Sequence, residues 1–240
     1  MGDNTLVLGH RLSEWCGHAP VLEEDIALAN TALDLIGQTQ LWLGLAGEVE
    51  GADRDADRLA FHRDVWDFRN VLLVEQPNAD FGRTIMRQYL FDLWHLSALQ
   101  ALRTSSHETI AAIAEKSVKE VTYHLERSRD LVIGLGDGTS ESNRRMQAAL
   151  DHLYPYVGEM FASDIADHEL VSQGVGFEPS ALRSGYDEEL DVVLQAANLQ
   201  KPNDTFAHQG GRTGAQHSEH LGHMLAQMQW LQRAYPDATW

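Results

Sequence analysis

The sequence has almost no cysteine. Cys16 stands alone among 240 residues, so no intrachain disulfide can form, and a reducing compartment suits such a chain. Lysine is nearly as scarce, three against fifteen arginines, and the 18 basic side chains face 36 acidic ones for a formal net charge of −18. A surface of that sign repels nucleic acid and anionic membrane, since both need a basic footprint. An anionic ligand would need a local cluster of arginines. No apolar run reaches the roughly 18–20 residues that cross a bilayer, and Met1-Gly2-Asp3-Asn4 lacks the basic-then-apolar pattern of a signal peptide. Cytoplasm is therefore the expected location, with neither nucleic acid nor membrane as a partner. Also missing are low-complexity tracts, fixed-period repeats, period-2 strand runs, and any phosphate loop, dinucleotide fingerprint or nucleophile elbow.

What is present is helical periodicity around an ample apolar content of 43%. A first segment, about 3–16, has Asp3-Asn4-Thr5 as cap candidates and carries Leu8, Leu12 and Trp15. Gly17-His18-Ala19-Pro20 breaks it. The next helix, about 21–47, spaces Leu22, Ile26, Ala29, Leu33, Ile36 and Leu43 at three to four residues, with Glu23, Glu24 and Asp25 in the first turn, where the helix dipole favours acids. The stripe Phe61, Val65, Phe68 and Leu72 predicts a helix over about 57–75, ended by Pro77. Further helices are expected over about 80–103, 107–134, 140–163, 179–198 and 214–234. Thr139 or Ser140 caps the third of these, and a loop covers 200–212. Long helices with short connections favour an antiparallel bundle. The expected fold is all-α: one ferritin-like domain over 1–240, a four-helix bundle over about 21–134, and accessory helices at 3–16, 140–163, 179–198 and 214–234.

Two apolar stripes are interrupted at mid-helix. Positions 81, 85, 88, 92, 95 and 99 read Phe, Ile, Gln, Asp, His and Leu. Positions 110, 113, 117, 120, 124 and 131 read Ile, Ile, Ser, Glu, His and Leu. Burying a lone carboxylate costs several kcal/mol, so such groups are paired, hydrogen-bonded or metal-bound. Asp34, Asp67 and Asn70 offer further polar groups at comparable depth. Ferritin-like bundles hold two irons with a glutamate from each of two helices and a Glu-x-x-His pair from each of the other two. Here the set is misarranged. Asp67 and Asn70 keep the spacing without the histidine, Asp92 and His95 keep it with a shortened acid, and Glu120 meets Tyr123 at i+3 with His124 one place later. A metal-free polar core is the favoured reading. The alternative is a self-sufficient di-iron oxidase or hydroxylase using Asp34, Asp67, Asp92, His95, Glu120 and His124, and a stand-alone helical binding protein is a third. Near the C-terminus His217, His220 and His223, with Glu219, could share a helix face and bind a transition metal, although surface or interface histidines are the commoner outcome.

Several runs resemble one family. They are Glu14-Trp15-Cys16-Gly17-His18-Ala19-Pro20, Leu28-Ala29-Asn30 with Leu33-Asp34-Leu35, Leu72-Leu73-Val74-Glu75-Gln76-Pro77-Asn78, and Glu219-His220-Leu221-Gly222 through Met228-Gln229-Trp230-Leu231-Gln232-Arg233. The family is the C subunit of the phenylacetyl-CoA epoxidase of aerobic phenylacetate breakdown, and the likeness covers nearly the whole chain. The resemblance implies a ferritin-like structural subunit without its own cofactor. It pairs with a homologous catalytic A subunit that carries the di-iron centre. A small assembly subunit and a reductase delivering NADPH-derived electrons complete the oxygenase. The resemblance also implies contact with phenylacetyl-CoA near the subunit interface, at the positions matching Asp67, Phe68, Arg69 and Asn70, and at His168, Glu169 and Leu170. Of these, the Arg69 guanidinium suits phosphate and Phe68 could stack or pack.

Overall fold

A computed structural model describes residues 1–203, 206–236 and 238. Among them the regular structure is entirely helical, agreeing with the all-α, ferritin-like class. The α-helices are α1 (Gly2–Ser13), α2 (Leu22–Glu50), α3 (Ala56–Phe61), α4 (Leu72–Glu75), α5 (Phe81–Leu102), α6 (Glu108–Gly136), α7 (Ser140–Leu153), α8 (Ile165–Ser172), α9 (Arg183–Ala196) and α10 (Glu219–Ala234). No helix among the described residues is long and apolar enough to cross a membrane. The chain divides into two compact units: Met1–Pro77 joined by Gln209–Trp240, and Asn78–His208.

In the first unit α1 lies along α2. Leu6, Val7, Leu8 and Leu12 of α1 and Leu28, Ala32, Leu35 and Leu43 of α2 are buried, each large side chain contributing about 1.5–3 kcal/mol by leaving water. Asp3, Asn4 and Thr5 are not caps, because the helix already starts at Gly2 and all three are buried within its first turns. Each instead anchors another segment. Asp3 pairs with Arg63, Asn4 Oδ1 accepts from the Val71 N–H at 2.8 Å, and the Thr5 and Thr39 hydroxyls bond at 2.8 Å.

The single helix expected over 57–75 is broken into three pieces: α3, a 3-10 turn at Val65–Asp67, and α4. The reason is local capping chemistry. Asp55 caps α3 by accepting from the Arg58 N–H, and a second cap at Asp64 restarts the chain after only six helical residues. Phe68 and Val71 are then extended, with ψ near 150°. The apolar positions 61, 65, 68 and 72 kept helical spacing across a segment whose acids turn it repeatedly.

In the second unit α5 packs along α6 and against α7, while α6 also meets α7 and α9. Every residue from 84 to 95 is buried, which is why α5 reads as apolar nearly all round with a few polar interruptions. Thr139 caps α7, its hydroxyl accepting from the Ser142 N–H at 3.1 Å. The helix expected over 140–163 stops at Leu153 and continues as 3-10 turns at Tyr154–Tyr156 and Gly158–Phe161, the first with Pro155 inside it. Pro179 opens a 3-10 turn before α9 rather than the helix itself. Of the expected loop 200–212, residues 204 and 205 lie outside the described residues.

Candidate functional site

Arg69 sits on a turn that its neighbours build. The Asp67 carboxylate accepts from the Asp64 N–H at 3.0 Å while the Asp64 side chain caps the Asp67 N–H. This box fixes the turn that aims the next three residues. Phe68 is fully buried, with the Arg63 guanidinium 4.2 Å above its ring. Arg63 is bound to Asp3, one contact measuring 3.0 Å. The Arg69 N–H donates to the same Asp3 carboxylate at 2.8 Å. Arg69 Nη1 donates to the Trp66 and Phe68 carbonyls, both at 2.7 Å. Gly214, with φ +69°, makes room for it, since a Cβ there would stand 2.0 Å from Nη1. The exposed Arg69 thus borders an open cleft of about 520 Å³ lined by Trp42, Leu43 and Leu59 and by Arg54, Arg63 and Arg69. Arg54 is matched by Glu50 and Arg63 by Asp3.

Beside this turn Asn70 and Glu75 are wholly buried. Glu75 Oε1 accepts from Asn70 Nδ2 at 2.9 Å and lies 2.6 Å from His217 Nδ1. Its Oε2 accepts from the Ser218 N–H at 2.7 Å and the Ser218 hydroxyl at 2.6 Å. The other ring nitrogen of His217 is 3.2 Å from the Phe68 carbonyl. Both ring nitrogens therefore lie within hydrogen-bond distance of an oxygen. Arg11 adds a crosslink, donating to the Glu75 and His220 carbonyls at 2.9 and 3.1 Å. The expected shared face of His217, His220 and His223 is not what forms. His217 precedes α10 and turns inward onto Glu75, while His223 is exposed. The signal in the sequence was a glutamate directly after the apolar run Val71-Leu72-Leu73-Val74, in a stretch buried throughout.

In the second unit the polar stripe of α5 faces that of α6. Asp92 is fully buried. Its Oδ1 accepts from Gln88 Nε2 at 2.7 Å, and its Oδ2 lies 2.9 Å from the Ser128 hydroxyl. That hydroxyl also lies 3.3 Å from the Leu125 carbonyl, which can only accept. One hydroxyl proton cannot serve both oxygens. The Asp92 contact is the shorter of the two, so the Ser128 hydroxyl donates to Asp92 Oδ2. Burial pushes Asp92 up to about 8, against the smaller opposing pull of its Ser128 and Gln88 bonds. Burial likewise holds His95 down to about 3, with the nearby His124 adding to it. Neither ring nitrogen of His95 has a hydrogen-bond partner, and its ring packs 5.0 Å from Phe91.

The residues singled out from sequence divide between the two units. Asp34 is half-buried on α2, Asp67 is exposed, and Asp67 and Asn70 stand on a turn and an extended stretch rather than on one helix face. Asp92, His95 and His124 come together inside the second unit, with Glu120 half-buried on α6. His168, Glu169 and Leu170 are exposed on α8, which the sequence reading did not foresee as a helix. His168 Nδ1 is 3.4 Å from Glu178, and Glu169 accepts from Gln173 Nε2 at 2.6 Å. Among the described residues no three His, Cys, Asp or Glu side chains gather as a metal-holding group. A ligating carboxylate must be ionised with a free lone pair. Burial disfavours the ionised form of Asp92, and both its oxygens are engaged by Gln88 and Ser128.

Residues 1–240 match the family described as Phenylacetic acid catabolic protein. The chain is also 45% identical over 240 residues, spanning all of this chain and 96% of the relative, to the C subunit of the 1,2-phenylacetyl-CoA epoxidase of Escherichia coli (strain K12).

Proposed function

The chain belongs to the phenylacetic acid catabolic protein family, and from that premise we propose that it is the non-catalytic structural subunit of a cytoplasmic phenylacetyl-CoA epoxidase. In this reading a homologous catalytic subunit holds the di-iron centre, a small subunit aids assembly, and a reductase supplies electrons from NADPH for oxygen-dependent epoxidation of the ring. This chain buttresses the catalytic copy and helps form the acyl-CoA site. The observation that supports the non-catalytic role is Asp92: both oxygens of this buried carboxyl are engaged by Gln88 and Ser128, and burial disfavours its charged form. Arg69 supports the acyl-CoA role, since Nη1 is occupied by carbonyls while the rest of the exposed fork makes no hydrogen bond among the described residues. Asp67, Phe68 and Asn70 set its position. His168, Glu169 and Leu170 would supply a second contact.

Metal analysis of the isolated chain, after reconstitution with ferrous iron, tests this directly. The expected result is substoichiometric iron, no turnover alone, and a tight complex with the catalytic subunit. Two irons per chain, lost in Glu120→Ala, would instead establish a self-sufficient oxidase or hydroxylase. Within the assembled complex, Arg69→Glu should lower acyl-CoA turnover roughly tenfold, the worth of one charge-assisted hydrogen bond, with assembly intact. Unchanged kinetics would remove Arg69 from the substrate site.

A further inference from the structure

The first turn of α5 and the side of α7 enclose a second cleft, of about 350 Å³, lined by Ala79, Asp80, Arg83, Arg144, Arg145 and Ala148, with Ala149 at its edge. Gly82 permits the close approach of the two helices. A Cβ there would meet Met146 Sδ at 3.2 Å and Arg145 Cβ at 3.8 Å. Three guanidiniums thus face two carboxylates, a local excess of positive charge in a chain of net charge −18. The carboxylates are already assigned. Glu141 accepts from Arg144 Nε and Nη2, at 3.1 and 3.0 Å, and from Arg145 Nε at 2.7 Å. Asp80 Oδ1 caps α5 through the Arg83 N–H at 2.8 Å, and its Oδ2 is 3.7 Å from Arg145 Nη1. What remains is Arg144 Nη1, Arg145 Nη2 and the guanidinium of half-buried Arg83, which makes no side-chain hydrogen bond or ion pair among the described residues. This differs from the 520 Å³ cleft, where acids or carbonyls meet all three arginines.

A half-buried guanidinium with five N–H donors and no acceptor is a planar fork suited to two oxygens of one tetrahedral anion. The positive end of a 22-residue helix lies at the same place and favours the same charge. We propose that this cleft binds a phosphate group of a small phosphorylated ligand, with Arg83 as the principal contact and Arg144 and Arg145 completing the cradle. The volume admits a phosphate or a diphosphate with room for part of a larger ligand, the remainder of which would extend outward from the open cleft.

Calorimetric titration of the full chain with pyrophosphate, coenzyme A and 3′-dephospho-coenzyme A tests the proposal independently of the subunit assignment. Saturable pyrophosphate binding that weakens with added salt is expected. It should weaken at least tenfold in Arg83→Gln/Arg144→Gln, while Arg83→Lys retains part of it. Arg103→Gln, at the far end of α5, should bind normally. Tighter binding of coenzyme A than of its dephospho form would support the cleft with a 3′-phosphate as its natural anion. Equal binding of the two, with pyrophosphate competing, would support it with a diphosphate or free phosphate. Absence of saturable binding by any probe, or full affinity in a double variant whose circular dichroism is native, would overturn it. Loss of affinity in Arg69→Glu alone would also count against this cleft, because it would place the anion elsewhere.

Discussion

Two carboxyl groups in this molecule are equally buried and are treated in opposite ways. Glu75, at 0% exposure, is met by an amide, a backbone N–H, a hydroxyl and an imidazole. Asp92, also at 0%, has only two donors, Gln88 Nε2 at 2.7 Å and the Ser128 hydroxyl at 2.9 Å, which also lies 3.3 Å from the Leu125 carbonyl. Burial by itself therefore does not decide the state of a carboxyl group. The number of donors aimed at it does. Glu75 fastens three separate chain segments to one another, whereas Asp92 joins only α5 to α6.

The contrast can be broken hardest at Glu75. Glu75→Ala strands His217, with 1% of its side chain exposed, and should cost about 3–5 kcal/mol of unfolding free energy, read from the midpoint of a urea transition. A loss below 1 kcal/mol would mean that the cluster is not an ion pair. At Asp92 the expectation reverses. Its folded value of about 8 exceeds the ordinary 3.8, so between those pH values the folded chain keeps a proton that the unfolded chain has lost, and stability falls as pH rises. His95 runs the other way. Held at about 3 rather than 6.5, it stays neutral while the unfolded chain takes a proton, so stability rises with pH over that window. From about 4 to 6.5 the two slopes cancel. From about 6.5 to 8 Asp92 acts alone, at ~1.4 kcal/mol per pH unit. Asp92→Asn, whose amide can donate to Ser128 and accept from Gln88, should abolish that decline, so that the stability difference between variant and wild type shifts in the variant's favour by about 2 kcal/mol from pH 6.5 to 8. Denaturation series at pH 5, 6.5 and 8 would check it, and parallel pH profiles for the two proteins would refute a neutral Asp92. The smallest change is expected for Ser218→Ala, about 1–2 kcal/mol, because its backbone N–H still reaches Glu75.

How far this contrast was legible beforehand depended on periodicity. The interruptions at Gln88, Asp92 and His95 fall three and four residues apart on a helix buried along most of its length, so they stood out and the structure keeps them together. Their counterpart was half seen. Stepping along α6 from His124 to Leu131 passed over Ser128, a small neutral residue that disturbs no hydrophobic pattern yet supplies the bond to Asp92. Segment 57–75 misled for the opposite reason. Phe61, Val65, Phe68 and Leu72 keep a helical interval through a path set by the caps Asp55 and Asp64. Glu75 escaped notice because its donors His217 and Ser218 lie more than 140 positions away, and no local pattern announces a pairing at that distance.

That separation also sets an order of events during synthesis. The second unit occupies one uninterrupted stretch, 78–208, whereas the first begins the polypeptide and is finished only by the segment from Gln209 onward. On the ribosome Asn78–His208 can pack within itself while α3 and the Val65–Asp67 turn still await α10. Until His217 and Ser218 leave the exit tunnel, the carboxylate of Glu75 has only water and Asn70 for company, and the beginning of the protein stays open to quality-control proteases longer than its middle.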